Sequence, residues 1–522
     1  MRRRLLLAYA LANAVLYSML LPLWEGFDEP FHFGYVQYLA NGIGLPDPRT
    51  SGLSQEVASS LLLAPGSLAV KRNIPEITSY PEIFGWPESA RQQAHRRLWN
   101  IDTGLRWQQS DFSDYEALQA PLAYAVLTVP ERALARMALP SRVLSLRIIA
   151  GTIGALLLLL GAERLAGQLG ISGAHKEAAI FCTFSSQMLW ATLSHVANDW
   201  LAVPLTLWLL VTVIDYGECP SVRRGMLAWS VLAMGLLTKA YFLAFLPLPA
   251  SACIIRHKWR DLGIGLLFLA AFAAPWYVRN VERYGTISGM QELRQGTDPM
   301  LALQAIRITK VPAAFDGYAR GALWTANNTF RSFSVKTLRA VIFAWLIALL
   351  LWAAARHRRA EWTVVFFCCL FILALAYDTG INYVASQHET ASPGAWYTQV
   401  LLVPMLALGF LGTSRTGTAG RFVAVAMVLL FGYVLVATYW VKLIPLYSGF
   451  AGRTSLTGVT MLYRERLSTV MAGLDAVCLV PAAVILSMAG LVAVLAVVQQ
   501  VVFIGGLLRG RISSAKLTCD GA

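Results

Sequence analysis

The sequence predicts an all-α fold, a polytopic transmembrane helical bundle, and three observations support this prediction. Of the 522 residues, 57% are hydrophobic and only 14% are charged, whereas soluble domains average roughly 45 to 50% apolar and about 25% charged residues. Apolar stretches of about 17 to 25 residues recur along the chain, which is the length that a helix needs to cross a hydrocarbon layer roughly 30 Å thick. Alternating strands of about ten residues, typical of membrane barrels, do not occur. This composition excludes a soluble enzyme, a disordered chain and a fibrous protein.

These apolar stretches predict about 12 to 13 membrane spans. The first follows Arg2, Arg3 and Arg4 and has no small-residue cleavage site, which favours a retained helix over a signal peptide. The predicted spans are residues 5–23, 118–137, 148–162, 178–195, 200–216, 225–239, 240–255, 262–278, 338–355, 362–378, 396–412, 422–440 and 476–500.

The net charge of +14 indicates a membrane topology rather than nucleic-acid binding. Each basic cluster lies in a short connection or tail beside a predicted span, and Lys and Arg concentrate on the cytoplasmic side of membrane proteins. Both termini are therefore expected in the cytoplasm. Counts from the two ends agree only if residues 148–195 make one net crossing, so 148–162 or 178–195 is expected to be partial or re-entrant. The basic clusters are Arg132/Arg136/Arg142/Arg147, Arg223/Arg224, Arg256/Lys258/Arg260, Arg356/Arg358/Arg359 and Arg509/Arg511.

Two long hydrophilic segments are predicted outside the cytoplasm. Residues 24–117 form the first extracytoplasmic loop, with 12 of the 29 acidic residues against 7 basic ones, and residues 279–336 form a second, basic loop. Loops of this length usually carry function. No internal repeat or low-complexity linker divides the chain, so residues 1–522 are predicted to be a single membrane domain.

An acidic pair, Asp28 and Glu29, follows the first predicted span. Pro30 suits the first turn of a helix that ends at Asn41 and lies in the membrane interface. Asp28 could cap this helix or act as a general base for an acceptor hydroxyl or amine, and the residues leave both roles open. His32, within one turn of both acids, could orient Asp28, bind a metal with Glu29, or simply pack.

Polar residues at the outer ends of later spans complete a candidate site. Lys239 lies between two apolar runs, and ionisable residues at such depth are more often functional than not, so this cation suits a lipid-linked phosphate. Arg279 could bind the same anion through two hydrogen bonds or extend to lipid headgroups. The other candidate substrate-binding residues, for which helix capping or another structural role is the alternative, are Glu116, Gln119, Asn198, Asp199, Asn280 and Tyr397.

No cofactor is identified with certainty, and a divalent metal ion is the candidate. His388 and Glu389 could complete a metal site with Glu29 and His32, although no typical ligand spacing supports such a site.

The order of these motifs resembles the GT-C superfamily of polytopic glycosyltransferases, which includes the protein O-mannosyltransferases and bacterial aminoarabinose transferase. The resemblance covers roughly residues 1–290. The motifs that carry it are the acidic pair Asp28-Glu29, the start of the second span at Gln119-Ala120-Pro121-Leu122-Ala123-Tyr124, Asn198-Asp199, Thr238-Lys239-Ala240-Tyr241, and Trp276 to Asn280.

The resemblance implies transfer of a sugar from a polyprenyl-phosphate-linked donor to a cell-envelope acceptor, on the outer side of a bacterial cytoplasmic (inner) membrane. Such enzymes usually invert the anomeric centre by direct displacement. Asp28 would be the base, Glu29 and His32 would support it or bind a metal, and Lys239 and Arg279 would bind the phosphate. The expected partners are the donor lipid, the acceptor and membrane lipids, with no nucleic acid, and the oligomeric state is left open.

The alternative is a flippase or other transporter of lipid-linked saccharides, which would also have many helices and intramembrane cations. Transporters tend to contain repeats and broken helices near the membrane midplane. Here polar residues gather at the outer ends of the spans and no repeat is evident, which favours the enzyme.

Overall fold

The computed structural model of the protein describes residues 2–287, 300, 311–321, 324–325, 327–329, 331–385, 394–450 and 456–509. The all-α transmembrane bundle is confirmed, because the described elements are helices apart from two short antiparallel strand pairs. One pair joins β1 (Gly52–Ser54) to β2 (Gln109–Ser113), and the other joins β3 (Trp324–Thr325) to β4 (Arg331–Ser332).

Apolar helices form the bundle, and shorter helices form most of the first loop. The bundle contains α1 (Arg2–Leu20), α8 (Leu139–Leu169), α9 (Gly173–Phe184), α10 (Gln187–Leu193), α11 (Asp199–Glu218), α12 (Val222–Leu236), α13 (Pro247–Ile255), α14 (Trp259–Phe272), α15 (Ala274–Tyr284), α17 (Val335–Ala353), α18 (Arg359–Ala385), α19 (Gln399–Arg415), α20 (Gly417–Ala437) and α22 (Ala482–Arg509). The other helices are α2 (Glu29–Ala40), α3 (Gln55–Leu63), α4 (Leu68–Asn73), α5 (Tyr80–Phe84), α6 (Glu88–Trp99), α7 (Leu122–Ala133), α16 (Val311–Gly321) and α21 (Leu456–Val477).

Seven helices in the described part of the chain are long and apolar enough to cross a membrane. These are α8, α11, α17, α18, α19, α22, and α20 with its continuation to Tyr447. An eighth crossing results if α14 and α15, which are bent by 48° relative to each other, form one span. Some predicted spans correspond to helices that are not both long and apolar enough to meet this criterion: 5–23, 225–239 and 240–255. The predicted total of about 12 to 13 spans is reached only if these segments also cross the membrane.

The predicted span 118–137 is too short to cross the membrane. Its helix, α7, has 12 residues, or about 18 Å of helix, against a hydrocarbon core of roughly 30 Å. At the beginning of α8, Arg142 and Arg147 are completely buried and form ion pairs with the first-loop carboxylates of Glu56 and Glu29. The beginning of α8 therefore lies on the side of the first loop, and the prediction that the cluster Arg132/Arg136/Arg142/Arg147 lies on the opposite, cytoplasmic side is wrong.

This correction removes the conflict between the two span counts. α8 runs unbroken through 148–162 for 31 residues, whereas the predicted span 178–195 is divided at Ser185 and Ser186 between α9 and α10. With α7 on the first-loop side, both segments can cross. If the predicted spans 5–23, 225–239 and 240–255 cross as well, the remaining basic connections fall on one side, as the charge pattern predicts.

The first loop packs onto the bundle through apolar contacts and a buried ion-pair network. Apolar side chains of the loop, such as Phe33 and Val57, share one buried cluster with Leu146 on α8. Arg142 donates hydrogen bonds to both Glu56 and Glu131. The helix predicted after Pro30 is α2, which ends where expected but is mostly buried in this region rather than lying on an exposed interface.

Candidate functional site

Asp28 precedes α2 in a left-handed backbone conformation, with φ of 52° and ψ of 18°. Its side chain makes no capping hydrogen bond, so the capping interpretation is wrong. Instead, Asp28 Oδ1 accepts a hydrogen bond from the Tyr115 hydroxyl at 2.5 Å. The left-handed conformation costs an ordinary L-residue roughly 1–2 kcal/mol, and the fold retains it where the carboxylate contacts Tyr115 rather than the helix end.

The Asp28 carboxylate is accessible to solvent but surrounded by protein groups. Burial among these groups raises its pKa, while the Tyr115 hydrogen bond and the positive charge of Lys239 oppose that increase. Because its raised pKa makes the carboxylate a stronger base, Asp28 has the access and the basicity that proton abstraction needs.

Glu29, the next residue, is completely buried and fully paired. Its carboxylate accepts hydrogen bonds from Arg147, with Nε to Oε1 at 2.7 Å, and from the backbone N–H of Val196 at 3.0 Å. Arg147 also donates to the carbonyls of Leu21 and Pro22. Glu29 thus joins the end of α1, α8 and the segment before α11, and both of its oxygens are occupied.

His32 and Glu116 contact each other near Asp28, and each is almost fully buried. His32 Nδ1 is 2.8 Å from the Tyr124 hydroxyl and 3.4 Å from Glu116 Oε2. Burial lowers the pKa of His32 well below its usual value, and the nearby His195 and the positive charge of Lys239 add to this effect. Burial raises the pKa of Glu116 well above its usual value, and the Asp28 carboxylate raises it further. An imidazole that resists protonation therefore faces a carboxyl group that retains its proton more readily than usual.

Lys239 is buried between α12 and the turn that follows it, and its charge is compensated. Its Nζ lies 2.7 Å from both carboxylate oxygens of Asp199 at the start of α11, and 4.8 Å from the centre of the Tyr397 ring. Lys239 also influences the pKa values of Asp28, His32 and Glu116. We call this group the Asp28 cluster: Asp28, His32, Tyr115, Glu116, Asp199 and Lys239.

Two further predicted residues border the Asp28 cluster. The Asn198 side chain donates a hydrogen bond to Gln119 Oε1 at 3.2 Å. Asn198 Oδ1 is buried without a partner in the described part of the chain. The pair therefore leaves an acceptor that a hydroxyl or amine could satisfy.

Arg279 and Asn280 lie on α15. Arg279 Nη2 donates to the carbonyl of Pro46 at 3.2 Å, and its guanidinium lies over the Trp276 ring, 4.8 Å from the ring centre. Asn280 is completely buried, and its Oδ1 has no partner among the described residues. Burial raises the pKa of Tyr35 and the charge of Arg279 opposes this increase, which places Arg279 near α2.

Comparison with protein-family models and with curated proteins finds no match. Among solved structures, the crystal structure of ArnT from Cupriavidus metallidurans bound to undecaprenyl phosphate is similar over 82% of this chain and 71% of that chain, with 15% sequence identity and a TM-score of 0.36. A similarity at this identity and TM-score does not identify a function for this chain.

The predicted metal site does not fit the residues that the structure describes. Glu29 is saturated by Arg147 and Val196, and His32 Nδ1 contacts Tyr124. His388 and Glu389 lie outside the described residues. Within the described ranges, no three His, Cys, Asp or Glu side chains are grouped so that they could hold a metal ion.

Sequence reasoning missed several groups of the site. Tyr115 adjoins the predicted Glu116, yet nothing in the local pattern indicates that it reaches Asp28 across 87 positions of sequence. Arg147 was assigned to a cytoplasmic cluster, although its place within a 31-residue apolar helix is a signal, since buried charges in such helices need partners.

Glu25 is a further missed residue, three positions before Asp28. It is buried, and its carboxylate accepts hydrogen bonds from the Tyr80 hydroxyl at 2.9 Å and from the Thr329 backbone N–H at 2.8 Å and hydroxyl at 2.5 Å. Burial raises the pKa of Glu25 to about 7, although these hydrogen bonds oppose the increase. Glu25 therefore ties the first loop to the second loop beside the Asp28 cluster.

Proposed function

We propose that the protein is a membrane glycosyltransferase that moves a sugar from a polyprenyl-phosphate-linked donor to a cell-envelope acceptor, with Asp28 as general base and its active site on the extracytoplasmic side. The observation that carries this proposal is the state of Asp28. Asp28 is exposed to solvent, its side chain makes no capping hydrogen bond, and desolvation by nearby protein groups raises its pKa although the charge of Lys239 opposes the increase.

The expected chemistry is an inverting displacement. Asp28 removes the proton from an acceptor hydroxyl or amine while that atom attacks the anomeric carbon, and the phosphate of the carrier leaves from the opposite face. Such a base typically contributes about 10²- to 10⁴-fold in rate. The hydrogen bond from Tyr115 fixes the position of the Asp28 oxygen that faces it, so the other oxygen is left for the acceptor.

The remaining groups of the site support binding and orientation. The raised pKa of Glu116 favours its protonated form, which offers a hydrogen-bond donor, and Asn198 Oδ1, unpartnered among the described residues, offers an acceptor, so the two suit the hydroxyl groups of a sugar. Lys239 is already neutralised by Asp199, and its main effect is to hold α11 and the end of α12 together beside Asp28. Arg279, with an unpartnered Nη1 among the described residues, is the better candidate for the donor phosphate.

The membrane location agrees with this chemistry. A polyprenyl carrier cannot leave the bilayer, so the reaction needs a site inside a membrane bundle with access for a polar acceptor. The first loop, packed over the beginning of α8, covers such a site.

The test is sugar transfer by membranes that contain the full chain, with a panel of radiolabelled polyprenyl-phosphate sugars. We expect Asp28→Asn to reduce transfer by at least about 100-fold at equal expression. Asp111→Asn, which removes an exposed carboxylate from β2 of the same loop, is the matched control and is expected to keep full activity.

Two outcomes would overturn the proposal. Equal transfer by wild type and Asp28→Asn would remove Asp28 from the chemistry. Absence of transfer with every donor would favour the transport of lipid-linked saccharides instead.

A further inference from the structure

Three arginines surround one aspartate where the first loop meets α15. Arg49 Nε lies 3.6 Å from Asp47 Oδ1, and Arg283 Nη1 lies 3.3 Å from Asp47 Oδ2. Arg49 Nη2 also donates to the carbonyl of Arg283 at 2.9 Å. Burial opposes ionisation of Asp47, but the Arg49 backbone N–H and the charges of Arg49, Arg283 and Arg279 hold its pKa below the usual value. We call Arg49, Arg279 and Arg283 with Asp47 the arginine cluster.

The arginine cluster carries more positive than negative charge. Three guanidinium groups and one carboxylate give a formal charge of +2. Glu282, on the neighbouring face of α15, is exposed and forms no ion pair with the residues that the structure describes. This excess differs from Lys239, whose single charge is matched by Asp199.

Two hydrogen-bond donors, one in the arginine cluster and one on the adjoining Tyr284, lack an acceptor. Arg279 Nη1 and the Tyr284 hydroxyl are buried and have no hydrogen-bond partner in the described part of the chain. A guanidinium N–H can only donate, so an oxygen acceptor is what would satisfy it. The Tyr284 ring lies under both Arg49 and Arg279, at 5.2 and 5.7 Å from their guanidinium carbons. The guanidinium planes are thus held in position for the oxygens of an anion such as phosphate.

Apolar side chains frame the arginine cluster on both chain segments. Ile43 and Leu45 precede Pro46, and Val278 and Val281 flank Arg279 on α15, and all four are between 47% and 52% exposed. In a membrane-spanning chain, exposed apolar side chains beside cations indicate contact with lipid. The anion that suits this place is therefore attached to a lipid rather than free in water.

We propose that the arginine cluster binds a lipid-linked phosphate and prefers the monoester dianion to the diester monoanion. This inference rests on the proposed function. In the transfer, the bond between the anomeric carbon and the phosphate oxygen breaks, and its electron pair stays on that oxygen. The acceptor proton moves to Asp28, so the phosphate passes from a diester with one negative charge to a monoester with two. A site with charge +2 stabilises that developing charge more than the substrate, which accelerates the step.

The experiment measures binding by the purified full chain in detergent, without any sugar transfer. The probes are farnesyl phosphate, its methyl diester and inorganic phosphate, and phosphatidylglycerol is the competing anionic lipid. The test variant is Arg49→Gln combined with Arg283→Gln, which leaves Arg279 in place. Arg97→Gln, which removes an exposed arginine on α6, is the control for loss of a surface arginine elsewhere, and Arg49→Lys with Arg283→Lys keeps the charge.

We expect the wild type to bind farnesyl phosphate roughly tenfold more tightly than the diester, with weaker binding of inorganic phosphate. The double Gln variant is expected to lose most of this preference, whereas Arg97→Gln and the double Lys variant are expected to keep it. Unchanged unfolding midpoints would show that the variants remain folded.

Equal affinity for monoester and diester, or competition by phosphatidylglycerol at the same concentration, would overturn the inference. Failure of the proposed function is distinguishable from this result. A protein without transfer activity that still shows the arginine-dependent preference would keep the lipid-phosphate site, whereas an active enzyme without the preference would lose only the inference.

Discussion

Asp28 and Glu29 are adjacent in sequence, yet they belong to two regions with opposite electrostatics. Glu29 belongs to the ion-pair region at the beginning of α8, in which three arginines, Arg106, Arg142 and Arg147, balance the charges of Glu29, Glu56 and Glu131. Asp28 belongs to a cluster in which carboxyl groups outnumber Lys239. Burial raises the pKa values of Asp28 and Glu116, and repulsion by the Asp28 carboxylate raises that of Glu116 further. The first region thus holds its carboxylates in ion pairs with arginine, whereas the second leaves Asp28 and Glu116 with raised pKa values and only one cation nearby.

The largest expected effect concerns the paired region. Arg142→Met would leave Glu56 and Glu131 buried without their main partner, and breaking a buried pair typically costs about 3–5 kcal/mol. We expect a lower unfolding midpoint in detergent. Adding Glu56→Gln and Glu131→Gln is expected to restore part of the loss. An unchanged midpoint for Arg142→Met alone would show that the network does not stabilise the fold.

Glu25 extends the comparison between arginine-paired and unpaired carboxylates, because its hydrogen-bond partners, Tyr80 and Thr329, are neutral. Its pKa of about 7 in the folded chain lies above the ordinary 4.5, so the folded state holds this proton more tightly than the unfolded state. The resulting stability, on the order of 3 kcal/mol, is present at low pH and is lost as the pH rises from 4.5 through about 7.

We expect the unfolding midpoint of the wild type to fall between pH 5 and pH 8 by more than that of Glu25→Gln, which resembles the protonated form. Glu88→Gln, at an exposed position on α6, is expected to follow the wild type. Parallel pH profiles of wild type and Glu25→Gln would rule out a raised pKa for Glu25.

The smallest expected effect concerns the Asp28 cluster. Tyr115→Phe removes the hydrogen bond that lowers the pKa of Asp28, so that pKa is expected to rise and the acid limb of the transfer rate to move to higher pH. The rate at the optimum is expected to fall by less than about tenfold. Tyr38→Phe on α2 is the control. An acid limb that does not move in Tyr115→Phe would show that the Tyr115 hydroxyl does not influence the pKa of the catalytic base.

The sequence predicted the helical bundle because span length and apolar composition are local properties. It also located Asp28 and Lys239, because ionisable groups at the ends of apolar runs stand out. It could not predict the roles of Arg142 and Arg147, whose carboxylate partners lie 86 and 118 positions away. In sequence, an arginine near a membrane span looks the same whether it faces lipid headgroups or a buried acid. The error on α7 has the same origin, because the basic residues after it were assigned to the wrong side.

The backbone conformation of Asp28 restricts which acid can occupy this position. Its φ of 52° lies in the region that Asn and Asp adopt far more readily than longer side chains. Asparagine therefore replaces Asp28 with little added strain and changes mainly its charge. Glutamate, although it keeps the charge, is expected to strain the turn and move the carboxylate. The choice of aspartate over glutamate here is thus set by the main chain as much as by the chemistry.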